Sequence, residues 1–273
     1  MGESSKLSRA EDPRSDEELV AAALSKIESD EHMDMVWTLA ARASRVQLDL
    51  ALRLADSAIV AERRLGAAIL GRIGYDIPAF LDESMARLID LLQDPAHDVL
   101  VDAIYGLGHR RDERGQDAIL PFHEHPSPDV RCAVAYSAGG RAKDVPVLLV
   151  LTRDSDSETR DWATFQFRIA PELDGSEVRE ALFARTEDEV GEIRGEALLA
   201  LAERKDSRVV PMIRRELARP LAGDWVIEAA GLTGDPSLLS DLRSAWQRVE
   251  EEDQARFDRT FREAIQALGG TPP

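Results

Sequence analysis

One carboxylate stands near the start of each of five predicted helices: Asp98, Asp129, Glu158, Glu192 and Asp224. Regularly spaced acids can hold a divalent cation or share acid–base work. One per unit argues for structure instead, because an acid in a helix's first turn is stabilised by the helix dipole and satisfies free N–H groups. His123-Glu124-His125 is the only close His pair. Residues at i and i+2 leave a helix on opposite sides, and the sequence puts neither a Cys cluster nor a third imidazole nearby, so no zinc site is expected. Cys132 is the single cysteine. No Cys-His-Asn arrangement can be placed around it, and it reads as a small buried hydrophobe rather than a nucleophile. A phosphate-binding Gly loop, a Gly-x-Ser-x-Gly elbow and His-Glu-x-x-His are all missing. No catalytic, metal or cofactor site is expected, and the chain is read as a non-enzyme.

The elements that carry these acids repeat. The pattern is acid, apolar residue, often Arg, then two small residues and a bend: Asp98-Val99, Asp129-Val130-Arg131, Glu158-Thr159-Arg160, Glu192-Ile193-Arg194 and Asp224-Trp225. The apolar anchors Val99, Val130, Thr159, Ile193 and Trp225 are 31, 29, 34 and 32 residues apart. Such a period marks stacked units, each too small to bury its own apolar face. Small residues form two adjacent columns, Ala103, Ala163, Ala197 and Ala229, then Ala67, Ala135 and Ala230, which let helices approach closely. Partner helices carry Leu-rich runs and are read as entered through Pro121, Pro146, Pro211 and Pro236, since proline suits a first helical turn. Ser15 and Glu18 make a capping box. The segment 250–268, with Phe257, Phe261, Ile265 and Leu268 at helical spacing, reads as a C-terminal capping helix. Residues 1–14 are polar and expected to be disordered, leaving one repeat domain over 15–273.

Composition bounds the function. The chain has 273 residues, a formal charge of −18, and only 5% aromatic residues. Thirty of its 34 basic residues are Arg, which suggests GC-rich coding and a bacterial host. Nucleic-acid binding rests on phosphate neutralisation, and Arg63-Arg64, Arg110-Arg111 and Arg214-Arg215 are scattered among acids, so a basic protein partner is electrically easier. No apolar run reaches the ~20 residues needed to span a bilayer. A lone cysteine suits a reducing cytoplasm. The oligomeric state is not legible.

The apolar-Arg-x-x-small-small pattern with its Leu-Gly bend, over roughly residues 56–246, resembles HEAT-repeat proteins, in the short variety also found in phycobilin lyases. The resemblance implies an all-α fold, a right-handed α-solenoid of about six or seven helix pairs. Leu100 and Val226 stand where the pattern expects Arg, and Phe167-Arg168 where it expects Leu-Gly. The Arg–acid ladder between repeats is therefore expected to be interrupted there.

The same resemblance aims residues two, three and six positions past each anchor into a concave groove. Among these, Asp102, Tyr105, Tyr136, Asp161, Trp162, Phe165, Glu196 and Glu228 are the candidate partner-binding residues. Acid and aromatic side chains suit an Arg- or Lys-rich segment through ion pairs and cation–π contact. Tyr105, Tyr136 and Phe165 read equally well as core residues between helices. The implied function is a scaffold or regulatory adaptor for a basic protein segment. The enzymatic alternatives on this fold are a HEAT-like DNA glycosylase, with Asp161-Trp162 and Trp225 as its site, and a bilin lyase. The purified chain is expected to ignore duplex DNA at ~150 mM salt. Submicromolar binding with release of an alkylated base would support the glycosylase.

Overall fold

The structure, a computed structural model, describes residues 9–75, 80–249 and 251–272. Among these, secondary structure is all helical, with sixteen α-helices, four short 3-10 turns and no strand. The chain divides into two compact units, Met1–Gly139 and Gly140–Pro273. The first holds α1 (Asp16–Ser25), α2 (His32–Arg42), α3 (Arg45–Ala55), α4 (Val60–Leu70), α5 (Leu81–Leu91), α6 (His97–Arg110), α7 (Glu113–Ile119) and α8 (Pro128–Ser137). In the second lie α9 (Val145–Leu151), α10 (Ser157–Ile169), α11 (Ser176–Arg185), α12 (Gly191–Glu203), α13 (Val210–Leu217), α14 (Asp224–Thr233), α15 (Leu239–Trp246) and α16 (Glu251–Ala267).

Within the first unit α4, α6 and α8 pack side by side, backed by α5 and α7. Within the second, α10, α12, α14 and α16 form the corresponding layer, backed by α9, α11, α13 and α15. This is the α-solenoid arrangement of a repeat protein, with the core lying between the two layers. Val99, Val130, Thr159 and Ile193 are fully buried there. Small residues allow close contact: a Cβ on Gly71 would overlap the Gly106 backbone where α4 meets α6.

The ladder is visible at the joints. Arg63 forks onto Asp94 at 2.7 and 3.0 Å, and its Nη1 donates to the Ser57 and Ala58 carbonyls. Arg160 repeats this with Asp188 at 2.9 and 3.1 Å and with the Asp154 and Ser155 carbonyls. Arg131 and Arg194 reach back to their own preceding loops, at His125 and Pro126 and at Asp188 and Glu189. Asp94 and Asp188 also accept the N–H groups of Ala96 and Val190. These carboxylates, rather than Asp98 or Glu192, therefore tie the loop. Asp98, Asp129, Glu158, Glu192 and Asp224 do sit in first turns, where the dipole favours them. Leu100 and Val226 are buried and supply no fork.

The capping box is present: Ser15 Oγ accepts from the Glu18 N–H and Glu18 accepts from the Ser15 N–H. Of the tail over 1–14, residues 1–8 lie outside the described residues. Asp12 and Arg14 are held, their carbonyls accepting from Arg42 at 2.9 and 2.6 Å. Pro121 corrects the expected pattern of Pro at each partner helix's start. Asp112 caps α7 at the Arg114 N–H, so the helix starts at Glu113. Pro121, lacking an N–H, falls instead in the 3-10 turn Leu120–Glu124 that follows. Phe257, Phe261 and Ile265 on α16, and Leu268 just past its end, are buried.

Burial pushes the Asp188 carboxyl up, but the Arg160 fork, the Val190 N–H and Arg185 together hold it below its ordinary value. Its stabilising contribution is therefore complete above the usual carboxylate pKa and is lost as pH falls through the depressed folded value. Arg160→Ala leaves this carboxylate buried without its main partner. It is expected to destabilise the chain by about 3–5 kcal/mol at neutral pH, with a smaller deficit in acid. A urea melt showing less than about 1 kcal/mol would deny the ladder its role.

Candidate functional site

In the first unit, Tyr105 on α6 and Tyr136 on α8 meet edge to face at 5.2 Å, and His109 stands 5.8 Å from the Tyr136 ring. Arg72, just past α4, donates through Nη2 to His109 Nε2 at 2.7 Å and through Nη1 to the Ala68 carbonyl. Its guanidinium lies 5.5 Å from the Trp37 ring, which meets Tyr75 edge to face. The two candidate tyrosines thus end a continuous aromatic row, Tyr75, Trp37, His109, Tyr136 and Tyr105, with Arg72 in its middle. Sequence reasoning found only the last two. Arg72, at the end of α4, and Trp37, on α2, share no spacing rule with them; His109 lies one turn past Tyr105 on α6, a signal that could have found it.

Asp102 does not belong to an open acidic surface. Arg64 on α4 bonds it at 2.8 Å, while also pairing with Glu28 at 3.0 Å. Burial is the largest influence on Asp102 and pushes its carboxyl above the ordinary value despite Arg64. Arg64 is the second Arg of the doublet Arg63-Arg64. The first serves the joint and the second turns inward, a division that only the helical phase decides.

In the second unit, Trp162 and Phe165 on α10 are half-buried and meet edge to face at 5.5 Å. Arg168 covers the Phe165 ring at 4.8 Å and pairs with Glu196 on α12. Glu196 is buried and already holds a cation within the fold, so it joins α10 to α12. Asp161 differs. Its Oδ1 is buried with no hydrogen-bond partner, and its carboxyl is pushed up by burial, then by Glu192, Glu158 and Asp188. Glu228 on α14 is exposed. The candidate acids of this unit therefore divide into one paired, Glu196, and two that carry no bonded cation among the described residues, Asp161 and Glu228.

Trp225 departs from the repeat. The other four anchors are fully buried, but Trp225 is 38% exposed. Its indole lies across Gly195 of α12, and Val226 and Ile227 go inward in its place. The expected column is one residue off here: Val99, Val130, Thr159 and Ile193 are each the third residue of their helix, and on α14 that place belongs to the buried Val226, with Trp225 just before it.

The histidines also rearrange. His123 Nδ1 meets the Leu120 carbonyl at 2.8 Å, and His125 accepts from the Ser127 N–H. A third imidazole, His97, stands 6.4 Å from His125 and bonds Ser127 Oγ at 2.6 Å, a proximity the sequence does not reveal. No group of three or more His, Cys, Asp or Glu placed to hold a metal ion occurs among the described residues. Cys132 is buried. No helix among the described residues is long and apolar enough to cross a membrane.

This geometry is that of an α-solenoid of helical repeats, and residues 85–168 match the family model described as HEAT repeats. The chain is 30% identical over 138 residues to protein YibA of Escherichia coli K12, an alignment covering 50% of this chain and 49% of YibA. It thus spans about half the length of the curated relatives it matches in sequence. The X-ray structure of E. coli YibA superposes with a TM-score of 0.75 at 26% identity, covering 94% of this chain and 93% of that one. The S. pombe condensin Cnd3–Cnd2 subcomplex matches with a TM-score of 0.53 at 17% identity, over 92% of this chain and 33% of that chain, and shares the fold alone.

His109 is the group whose titration reports the first-unit row. Burial, then the charges of Arg72 and Arg111, pull its pKa down to about 4. Because Arg72 donates to Nε2, the ring is neutral with its proton on Nδ1. Between the ordinary pKa of about 6.5 and the depressed one, the unfolded chain binds a proton that the folded chain refuses. Stability from this group should fall as pH drops through that window. Imidazole NMR should show His109 as the Nδ1–H tautomer, titrating well below 6. A midpoint near 6.5 would remove the Arg72 contact.

Proposed function

We propose that this chain is a non-catalytic helical-repeat scaffold whose second unit binds a protein partner through a basic segment. One observation carries the reading. Asp161 is part-buried beside Glu158, Glu192 and Asp188, with its Oδ1 unbonded, and Trp162 follows it on the same helix. A part-buried carboxylate crowded by other carboxylates is stabilised by an incoming cation, and an adjacent aromatic face adds cation–π attraction. A formal charge of −18 steers basic segments toward the chain and repels phosphate. The same carboxylates oppose a glycosylase reading of Asp161-Trp162, which requires a groove that attracts DNA.

Asp102 and Glu196 are not assigned to the partner, since Arg64 and Arg168 already hold them. The binding residues of this reading are Asp161, Trp162 and Glu228, and to them we add Glu192, whose charge acts on Asp161. Phe165 is the edge-to-face neighbour of Trp162.

Calorimetric titration with a short mixed Lys/Arg peptide tests the reading. Binding should weaken steeply between low salt and ~150 mM, since exposed charge pairs are screened. Trp162→Ala should weaken it about tenfold or more, the effect of an interface anchor worth ~2 kcal/mol. The melting temperature should move little. A core tryptophan would instead cost ~3–5 kcal/mol of stability. A large fall in melting temperature with peptide binding intact would place Trp162 in the core and remove it from the site.

A further inference from the structure

Trp225 is a large aromatic ring held open by a missing side chain. A Cβ on Gly195 would come 2.9 Å from Trp225 Cε3 and 3.3 Å from its Cβ, so the indole rests directly on α12. With one side pressed there, the ring keeps 38% of the residue exposed. Glu228 lies one turn beyond Trp225 on α14, and Glu192 one turn before Gly195 on α12. Residues three apart are neighbours on one helix face, which places a carboxylate along each flank of the ring. Both glutamates are exposed and neither carries an ion pair among the described residues. Among like charges Glu192 acts most strongly on Asp161, which extends the negative face to α10.

We propose that Trp225 is the platform on which the partner's basic segment lays an arginine, with Glu192 and Glu228 accepting hydrogen bonds from the guanidinium. The proposal rests on the scaffold reading above and names the chemistry it selects. A guanidinium is planar and weakly hydrated, stacks on an indole, and carries N–H groups along its edges that can reach carboxylates on both sides. An ammonium is compact and strongly hydrated; it gains the charge attraction but not the stacking. The surface should therefore prefer arginine to lysine at equal peptide charge. Gly195 acts as a positioning residue: it touches no ligand and sets the plane of the ring.

The test is calorimetric titration of the full chain with oligo-arginine and oligo-lysine peptides of equal length. Wild type should bind the arginine peptide about fivefold or more tighter. Trp225→Ala should bring the two peptides to similar affinity while leaving the charge-driven, salt-sensitive part of binding. Gly195→Ala should erase most of the preference with the indole still present. Alanine is the better helix former, so weakening of α12 itself would not explain that loss. Glu228→Gln, at an exposed position that cannot unfold the chain, should lower arginine-peptide affinity several-fold and lysine-peptide affinity less. An arginine preference that survives Trp225→Ala overturns the proposal. So does equal wild-type affinity for the two peptides, although the scaffold reading then stands. If neither peptide binds wild type at low salt, both fall. A concentration-dependent dimer in sedimentation that Trp225→Ala abolishes would assign the platform to a second copy of the chain and overturn it too.

Discussion

A guanidinium withdrawn from water at the joint between two helix pairs must find an acceptor for nearly every N–H, and this requirement organises the fold. Arg160 meets it with both oxygens of Asp188 and with two carbonyls of its own preceding loop. Asp188 in turn accepts the Val190 N–H at the start of α12. One side chain thereby fixes the loop before its own helix and the start of the next first-layer helix. Arg63 and Asp94 do the same between α4 and α6. No helix pair could bury its apolar face alone. At these two joints the fork ties one pair to the next, and so bears on which side chains the first-layer helices turn toward one another.

The remaining charges sort into two populations. Asp102 and Glu196 face cations from adjacent helices, Arg64 and Arg168, and serve the stack. Asp161, Glu192 and Glu228 meet no such cation among the described residues. A chain at −18 cannot pair every carboxylate, and where the surplus falls decides which surface attracts a partner. In the first unit Arg64 pairs with Asp102 and Glu28, whereas Arg72 turns to another kind of partner. Arg72 is hydrogen-bonded to a neutral imidazole and a carbonyl rather than to a carboxylate, and burial lowers its pKa to about 10.

Much of the candidate site was legible because its parts lie one helical turn apart. Trp162 and Phe165 are three residues apart and touch. Tyr105 and Tyr136 hold the same place in successive repeats and also touch. What escaped were contacts among residues with no common spacing, such as Arg72 with Trp37 and His109, or His97 with His125. Trp225 escaped for another reason: α14 starts one residue later relative to the repeat than the spacing implies, so Val226 fills the buried anchor place and the indole falls just outside it.

The sequence by itself determined the helix periodicity, the small-residue columns, the recurring Arg and the excess of negative charge, since each follows from local spacing or from a sum over residues. Only the tertiary structure decided which acids are already neutralised and which aromatic ring stays open. Those outcomes depend on the phase between neighbouring helices. A rotation of one helix by a fraction of a turn would change which carboxylate meets a guanidinium, and no count along the chain contains that angle.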